Sequence, residues 1–166
     1  MGKFIGFLAL AWLGLATAVW TAPVGMTHSG GAVPEQEAAD HPCAFDEAGM
    51  ANCPDTSSYL WRLPAHGERT VTTTWEPSRS DIRTVTGTLT HENPDCPGSR
   101  ISWTVVTDER TGGTLTDDDR QAELDIPVQR PLRRITLTLR REDAAACASA
   151  LRWTDPRLEP PYALLP

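Results

Sequence analysis

The 166 residues carry 40% hydrophobic and 22% charged side chains, enough apolar material for one ordinary domain once the two ends are set aside. With 22 acidic side chains against 15 Lys and Arg, the formal charge is -7, which disfavours nucleic acid as a partner. The one basic cluster, Arg130, Arg133, Arg134, Arg140 and Arg141, is interleaved with strand residues and reads as a solvated face.

The chain opens like an export signal. Lys3 supplies a positive start, residues 4–15 are apolar, and Ala16-Thr17-Ala18 has the small-x-small pattern of a signal-peptidase site. Cleavage after Ala18 or Ala22 makes 1–22 a signal peptide and the protein secreted. No charged side chain stands between Lys3 and Glu35, so an uncleaved anchor, which would bring membrane contact, is the alternative reading. Residues 23–41 are rich in Gly, Ala, Pro and Glu with neither regular period, and read as a flexible linker.

The module is expected over 42–159. All four cysteines lie beyond the signal, where oxidising conditions favour disulfides, and four cysteines allow three pairings. Cys43 and Cys53 flank a loop containing Gly49 and bridge easily, which leaves Cys96 with Cys147; a Cys43–Cys147 bridge is the main competitor. A metal set of His41, Cys43, Asp46 and Cys53 fits no standard zinc spacing, so neither metal nor cofactor is expected.

Strand signals follow in order. Residues 59–63 form a short apolar run. In residues 69–75, Val71, Thr73 and Trp75 alternate with Thr70, Thr72 and Thr74, and threonine suits a pleated surface. Residues 82–90 place Val85, Gly87 and Leu89 on one face, with Gly87 predicting a bulge or a close neighbouring backbone. After a loop over 91–99, Ile101, Trp103 and Val105 share a face, and Thr111-Gly112-Gly113-Thr114 reads as a turn. Asp117-Asp118-Asp119 reads as a solvated loop rather than a calcium site.

Ala122, Leu124, Ile126 and Val128, then Ile135, Leu137 and Leu139, fall on alternate positions, the mark of two half-buried strands. Residues 144–150 read as a helical turn or a loop holding Cys147, 151–153 begin the last strand, and prolines leave 160–166 an extended tail. Short strands, turn signals about every ten residues and no long helical period predict an all-β antiparallel β-sandwich or barrel.

The blocks Ile82 to Leu89, Ile101 to Asp108, Leu124 to Val128 and Ile135 to Leu139, closed by Cys147 and Ala150-Leu151-Arg152-Trp153-Thr154-Asp155-Pro156-Arg157-Leu158, resemble NPCBM, a carbohydrate-binding module related to module family 51. The resemblance spans roughly the second half of the chain. It implies a galactose-binding-like jelly roll and non-catalytic binding of galactose-type glycans; a monomer is expected.

A sugar site needs an aromatic face and fixed polar groups. Trp103 and Trp153 share faces with aliphatic residues and read as core. Trp61 and Trp75, with Tyr59 and His66 near Trp61, are the platform candidates, and the loop beginning His91-Glu92-Asn93 with Asp95 offers polar contacts. No nucleophile elbow, zincin motif or phosphate loop is present, so the protein does not read as an enzyme. A protein-binding β-sandwich, secreted or attached to the envelope, is the alternative function, and a small secreted hydrolase ranks last.

Overall fold

The computed structural model describes residues 24–38, 44–45, 51–52, 57–92 and 96–161, the short pieces at 44–45 and 51–52 by backbone alone. In chain order the strands are β1 (Met26–Gly31), β2 (Glu35–Ala38), β3 (Ala44–Phe45), β4 (Ala51–Asn52), β5 (Ser57–Leu63), β6 (Thr70–Pro77), β7 (Thr84–Glu92), β8 (Ile101–Val106), β9 (Arg110–Leu115), β10 (Gln121–Pro127), β11 (Ile135–Arg141) and β12 (Ser149–Glu159). The expected signal segment, Cys43 and Cys53, their expected bridge, Asn93, Asp95 and the last five residues lie outside the described residues. No helix among the described residues is long and apolar enough to cross a membrane.

Two antiparallel five-stranded sheets face each other, in the orders β1-β6-β11-β8-β9 and β10-β7-β12-β5-β2, beside a separate β3-β4 pair. From β5 to β12 the sheets run β5-β12-β7-β10 and β6-β11-β8-β9, the order of an eight-stranded jelly roll. The predicted sandwich is therefore the observed fold. β10 and β11, adjacent in sequence, stand in opposite sheets: β10 lies against β7, and β11 between β6 and β8.

The core follows strand alternation. Ile135, Leu137 and Leu139 of β11 are fully buried between the sheets while Thr136, Thr138 and Arg140 face outward. On the outer face Thr72 meets Thr138 (Oγ–Oγ 3.2 Å), a cross-strand hydroxyl pair of the kind that fixes register.

Two expectations are corrected. Part of the 23–41 segment is strand: β1 adds to the edge of β6, and β2 to the edge of β5. Trp61 Nε1–H donates to Thr73 Oγ1 (2.8 Å), whose hydroxyl donates to the Ala32 carbonyl (2.8 Å), and the Ala32 amide donates to Thr72 O (2.8 Å), so a core indole anchors the N-terminal edge. The glycine pair at 112–113 does not turn. It lies within β9, while the reversal falls at 107–109, where the Thr107 amide donates to Glu109 O (3.0 Å). A Cβ on Gly113 would sit 3.0 Å from the Trp103 ring, and one on Gly112 2.6 Å from the Trp103 carbonyl, so the glycines serve close approach.

Gly87 meets its expectation of a close neighbour. It has φ 134°, and it faces an irregularity in β12 between Thr154 and Arg157, where Asp155 adopts φ 54°. Residues 144–148 form bends rather than a helical turn.

The Cys96–Cys147 bridge is present (Cα–Cα 5.4 Å), which removes the Cys43–Cys147 alternative. It joins the loop before β8 to the approach to β12, and closing so long a loop stabilises the fold by about 4 kcal/mol. Arg141, its side chain fully buried beside this bridge, contacts Cys96 Sγ (3.2 Å) and the Cys147 carbonyl and pairs with Asp143 (3.0 Å).

Candidate functional site

The aromatic residues that sequence reasoning assigns to a sugar platform are core. Tyr59, Trp61 and Leu63 point inward from β5, Trp75 does so from β6, and Trp61 and Trp75 keep 3% and 1% of their surface. Trp75 packs edge-on against Trp61 (centroids 5.9 Å, 85°) and Trp153 (5.7 Å, 76°), with Tyr59 5.5 Å from Trp75. Such edge-to-face contacts add to the area that large rings bury. No sugar ring can stack on any of them, and Val33 is the one large hydrophobic side chain exposed among the described residues. His66 is exposed in the turn after β5, on its own.

His91 is likewise buried, and its surroundings look catalytic only in outline. Its Nε2 lies 2.7 Å from Ser99 Oγ and 2.8 Å from Ser149 Oγ, and the two hydroxyls are 3.1 Å apart. These are distances at which a histidine activates a serine. All three residues are buried to 97% or more, so no substrate reaches the hydroxyls, and the cluster ties the starts of β8 and β12 to the end of β7.

Burial pushes the His91 pKa down, against opposing pulls from the Thr116 backbone and Asp117. A base whose folded pKa is depressed contributes its stability above its unfolded pKa, here the ordinary histidine value of 6.5, and loses it as pH falls from there through the folded value. The melting temperature of the protein is therefore expected to fall on acidification from pH 7, and that of a His91→Gln variant to fall less over the same interval. Parallel curves would show that His91 does not titrate in this way.

Beside His91 the structure forms an open cleft of about 710 Å³, whose wall includes Thr90, Glu92, Asp117, Asp119, Arg120 and Gln121. Its position follows from pairing: Thr90 of β7 sits opposite Gln121 of β10, and both face out of the sheet. The acidic turn is held in shape. The Thr116 amide donates to Asp119 O (2.9 Å), the Asp119 amide to Thr116 Oγ1 (3.1 Å), Arg120 Nε to Asp117 O (2.9 Å), and the Gly98 amide to the Asp117 carboxylate.

On the opposite side Glu92 accepts from Arg152 (Nη2–Oε2 3.1 Å), which also donates to Ser58 Oγ (3.0 Å). The Asp117 carboxylate, Arg120 and Glu92 are thus held by hydrogen bonds, and with Thr90 and Gln121 they supply the hydroxyl, carboxylate, guanidinium and amide groups that meet the hydroxyls of a polyol. Among the described residues no group of three or more His, Cys, Asp or Glu is arranged to hold a metal ion.

No protein-family model matches the chain, that of NPCBM included, and no curated protein sequence does. Solved structures do resemble it. One is a carbohydrate-binding module of family 28 specific for non-crystalline cellulose, with 13% identity, TM-score 0.45, and coverage of 70% of this chain and 79% of that one. A family-61 module in complex with β-1,4-galactotriose shows 12% identity and TM-score 0.37 over 84% and 89% of the two chains. A family-29 module complexed with mannohexaose shows 13% identity and TM-score 0.33 over 83% and 92%. A carbohydrate esterase of family two from Cellvibrio japonicus, of which 37% is covered, also resembles it, with TM-score 0.31. At such scores the likenesses assign no residue a role, and the fold rests on its own strand order.

Sequence reasoning names His91 and Glu92 at this end but misses the Asp117–Gln121 wall as a partner for them. The alternation of Gln121 with Ala122 is the available signal, since it places Gln121 on the outer face.

Proposed function

We propose that the protein is a secreted, non-catalytic glycan-binding module that holds a saccharide in the polar cleft between Glu92 and the Asp117–Gln121 wall. Galactose-type glycans are the class that the resemblance implies. The observation carrying this reading is the cleft itself, open enough for a sugar unit and lined by polar groups, of which the Asp117 carboxylate, Arg120 and Glu92 are held by hydrogen bonds. Binding is by hydrogen bonds to hydroxyls, without ring stacking.

Calorimetric titration with β-galactoside oligosaccharides tests it. Binding is expected, and Asp119→Ala with Gln121→Ala is expected to weaken it by about tenfold or more, since each hydrogen bond removed from a binding site costs on the order of 1 kcal/mol. Both side chains are exposed, so the melting temperature should hold. No heat with any glycan, or unchanged affinity in the double variant, would overturn the reading. The burial of Tyr59, Trp61, Trp75, Trp103 and Trp153 favours a second reading, recognition of a protein partner by the same polar loops. A partner captured through Asp119 and Gln121 in the absence of glycan binding would decide for it.

A further inference from the structure

The other end of the sandwich gathers several arginines. The connection from β6 to β7 and that from β10 to β11 meet there: the Val128 amide donates to Arg83 O (2.7 Å), and the Leu132 amide to Ser80 O (2.7 Å). Ile82, Val128 and Leu132 point into the core, at 2%, 3% and 3% exposure, which turns Arg83, Arg130, Arg133 and Arg134 outward. Arg83 and Arg130 line one cleft of about 200 Å³, with Gln129 between them and the β8–β9 turn, where the Gln129 amide donates to Asp108 Oδ2 (2.9 Å).

Arg62, Arg69, Arg79, Arg140, Arg141, Arg152 and Arg157 each face a carboxylate. Among the described residues no carboxylate lies within ion-pair distance of Arg83, Arg130, Arg133 or Arg134. Arg100, Arg110 and Arg120 also lack an ion pair among the described residues, but Arg83, Arg130, Arg133 and Arg134 are gathered on two connections that meet. Of the nearby acids, Asp81 lines the cleft paired with Arg79 (2.9 Å), and Asp108 accepts from the Gln129 amide and keeps its charge. Arg83 and Arg130 line the cleft, and the exposed Arg133 and Arg134 follow on the same β10–β11 connection, so four guanidinium groups without an ion pair raise the local positive potential at this end. The five-arginine cluster of the sequence is thereby divided: Arg140 and Arg141 have their own acids, while Arg83 joins the remaining three from a distant segment.

We propose that this cleft is a second binding site, which takes the sulfate, phosphate or carboxylate groups of an acidic polysaccharide. A guanidinium meets such oxyanions with two parallel hydrogen bonds, and two arginines across one cleft grip a single group from both sides. The net negative charge opposes a long nucleic-acid duplex. Among the described residues this end exposes no large apolar side chain to enter a lipid surface. The site is independent of the glycan cleft at the opposite end, and either can fail without the other.

The test is calorimetric titration of the exported chain with heparin and with polygalacturonate, at low and at high salt, beside duplex DNA and vesicles of anionic phospholipid. Binding to at least one polysaccharide is expected at low salt, weakened about tenfold at high salt by screening. Arg83→Ala with Arg130→Ala should reduce it about tenfold or more, because charge-assisted pairs are the strong ones. Arg100→Ala, an exposed arginine at the other end, should leave it unchanged, as should Asp119→Ala with Gln121→Ala. Absence of polysaccharide binding at low salt, or equal binding by the double arginine variant at an unchanged melting temperature, would overturn the proposal. Binding to DNA or vesicles alone, lost in the double variant, would overturn the polysaccharide as occupant.

Discussion

Gly87→Ala is expected to lower the melting temperature by roughly 10 °C or more, corresponding to about 3–5 kcal/mol from backbone strain and overpacking together. Gly87 sits at φ 134°, where an L side chain is strained, and its Cβ would lie 2.3 Å from Trp153 Nε1 and 3.0 Å from the carbonyl oxygens of Thr154 and Asp155. Trp153 is fully buried and braced edge-on by Trp75, so it cannot retreat without disturbing the aromatic core. Gly67→Ala is the matched control: its φ is 87°, but nothing lies within 4 Å of the added Cβ, so strain of about 1 kcal/mol acts without collision. Thermal unfolding of the two variants separates the causes. Equal losses would mean that Trp153 does not press on β7 as described.

Arg141→Met is the second large effect, about 3–5 kcal/mol, because it strands a largely buried carboxylate. Arg141 donates to both Asp143 oxygens (Nε 3.1 Å to each, Nη2 3.0 Å to Oδ1), and Asp143 keeps 8% of its side-chain surface. Burial by itself pushes the Asp143 carboxyl up. The hydrogen bonds from Arg141 and from the Arg100 and Ala145 amides outweigh this and hold the group well below the usual carboxylate range. Arg69, 3.7 Å away, compensates in part, which puts the expected loss toward the lower bound.

The sign with pH follows. A carboxyl whose folded pKa is depressed contributes stability that is complete above its unfolded value, near 3.8, and that disappears as pH falls from there toward the folded value. The wild type should lose melting temperature on acidification below pH 4, and Arg141→Met should show a smaller loss over that range. A variant as stable as wild type at pH 7 would contradict the pairing.

What the chain makes legible is what alternation encodes. β10 and β11 are plain because their aliphatic residues stand on every second position, with Thr, Glu and Asp between them. Trp103 and Trp153 read as core on the same ground. Trp61 and Trp75 mislead because Leu60 makes the β5 run continuously apolar, and Thr73, hydrogen-bonded to Trp61 inside the protein, looks polar in sequence. β1 and β2 escape because edge strands take their stability from the neighbour they join, and Gly30 and Gly31 hide any period. The glycine pair of β9 reads as a turn because sequence does not show that Trp103 lies against it. Both clefts are invisible there, since each is made by loops or strand ends far apart in the chain.

Mapping of backbone and indole resonances by amide-proton–nitrogen correlation spectra, during titration with the tightest-binding glycan, is the most direct test. Shifts are expected at Thr90, Glu92 and residues 117–121, while the indole N–H signals of Trp61, Trp75, Trp103 and Trp153 stay in place. Indole signals that move with saturating ligand while the cleft stays silent would contradict the polar cleft as the binding site.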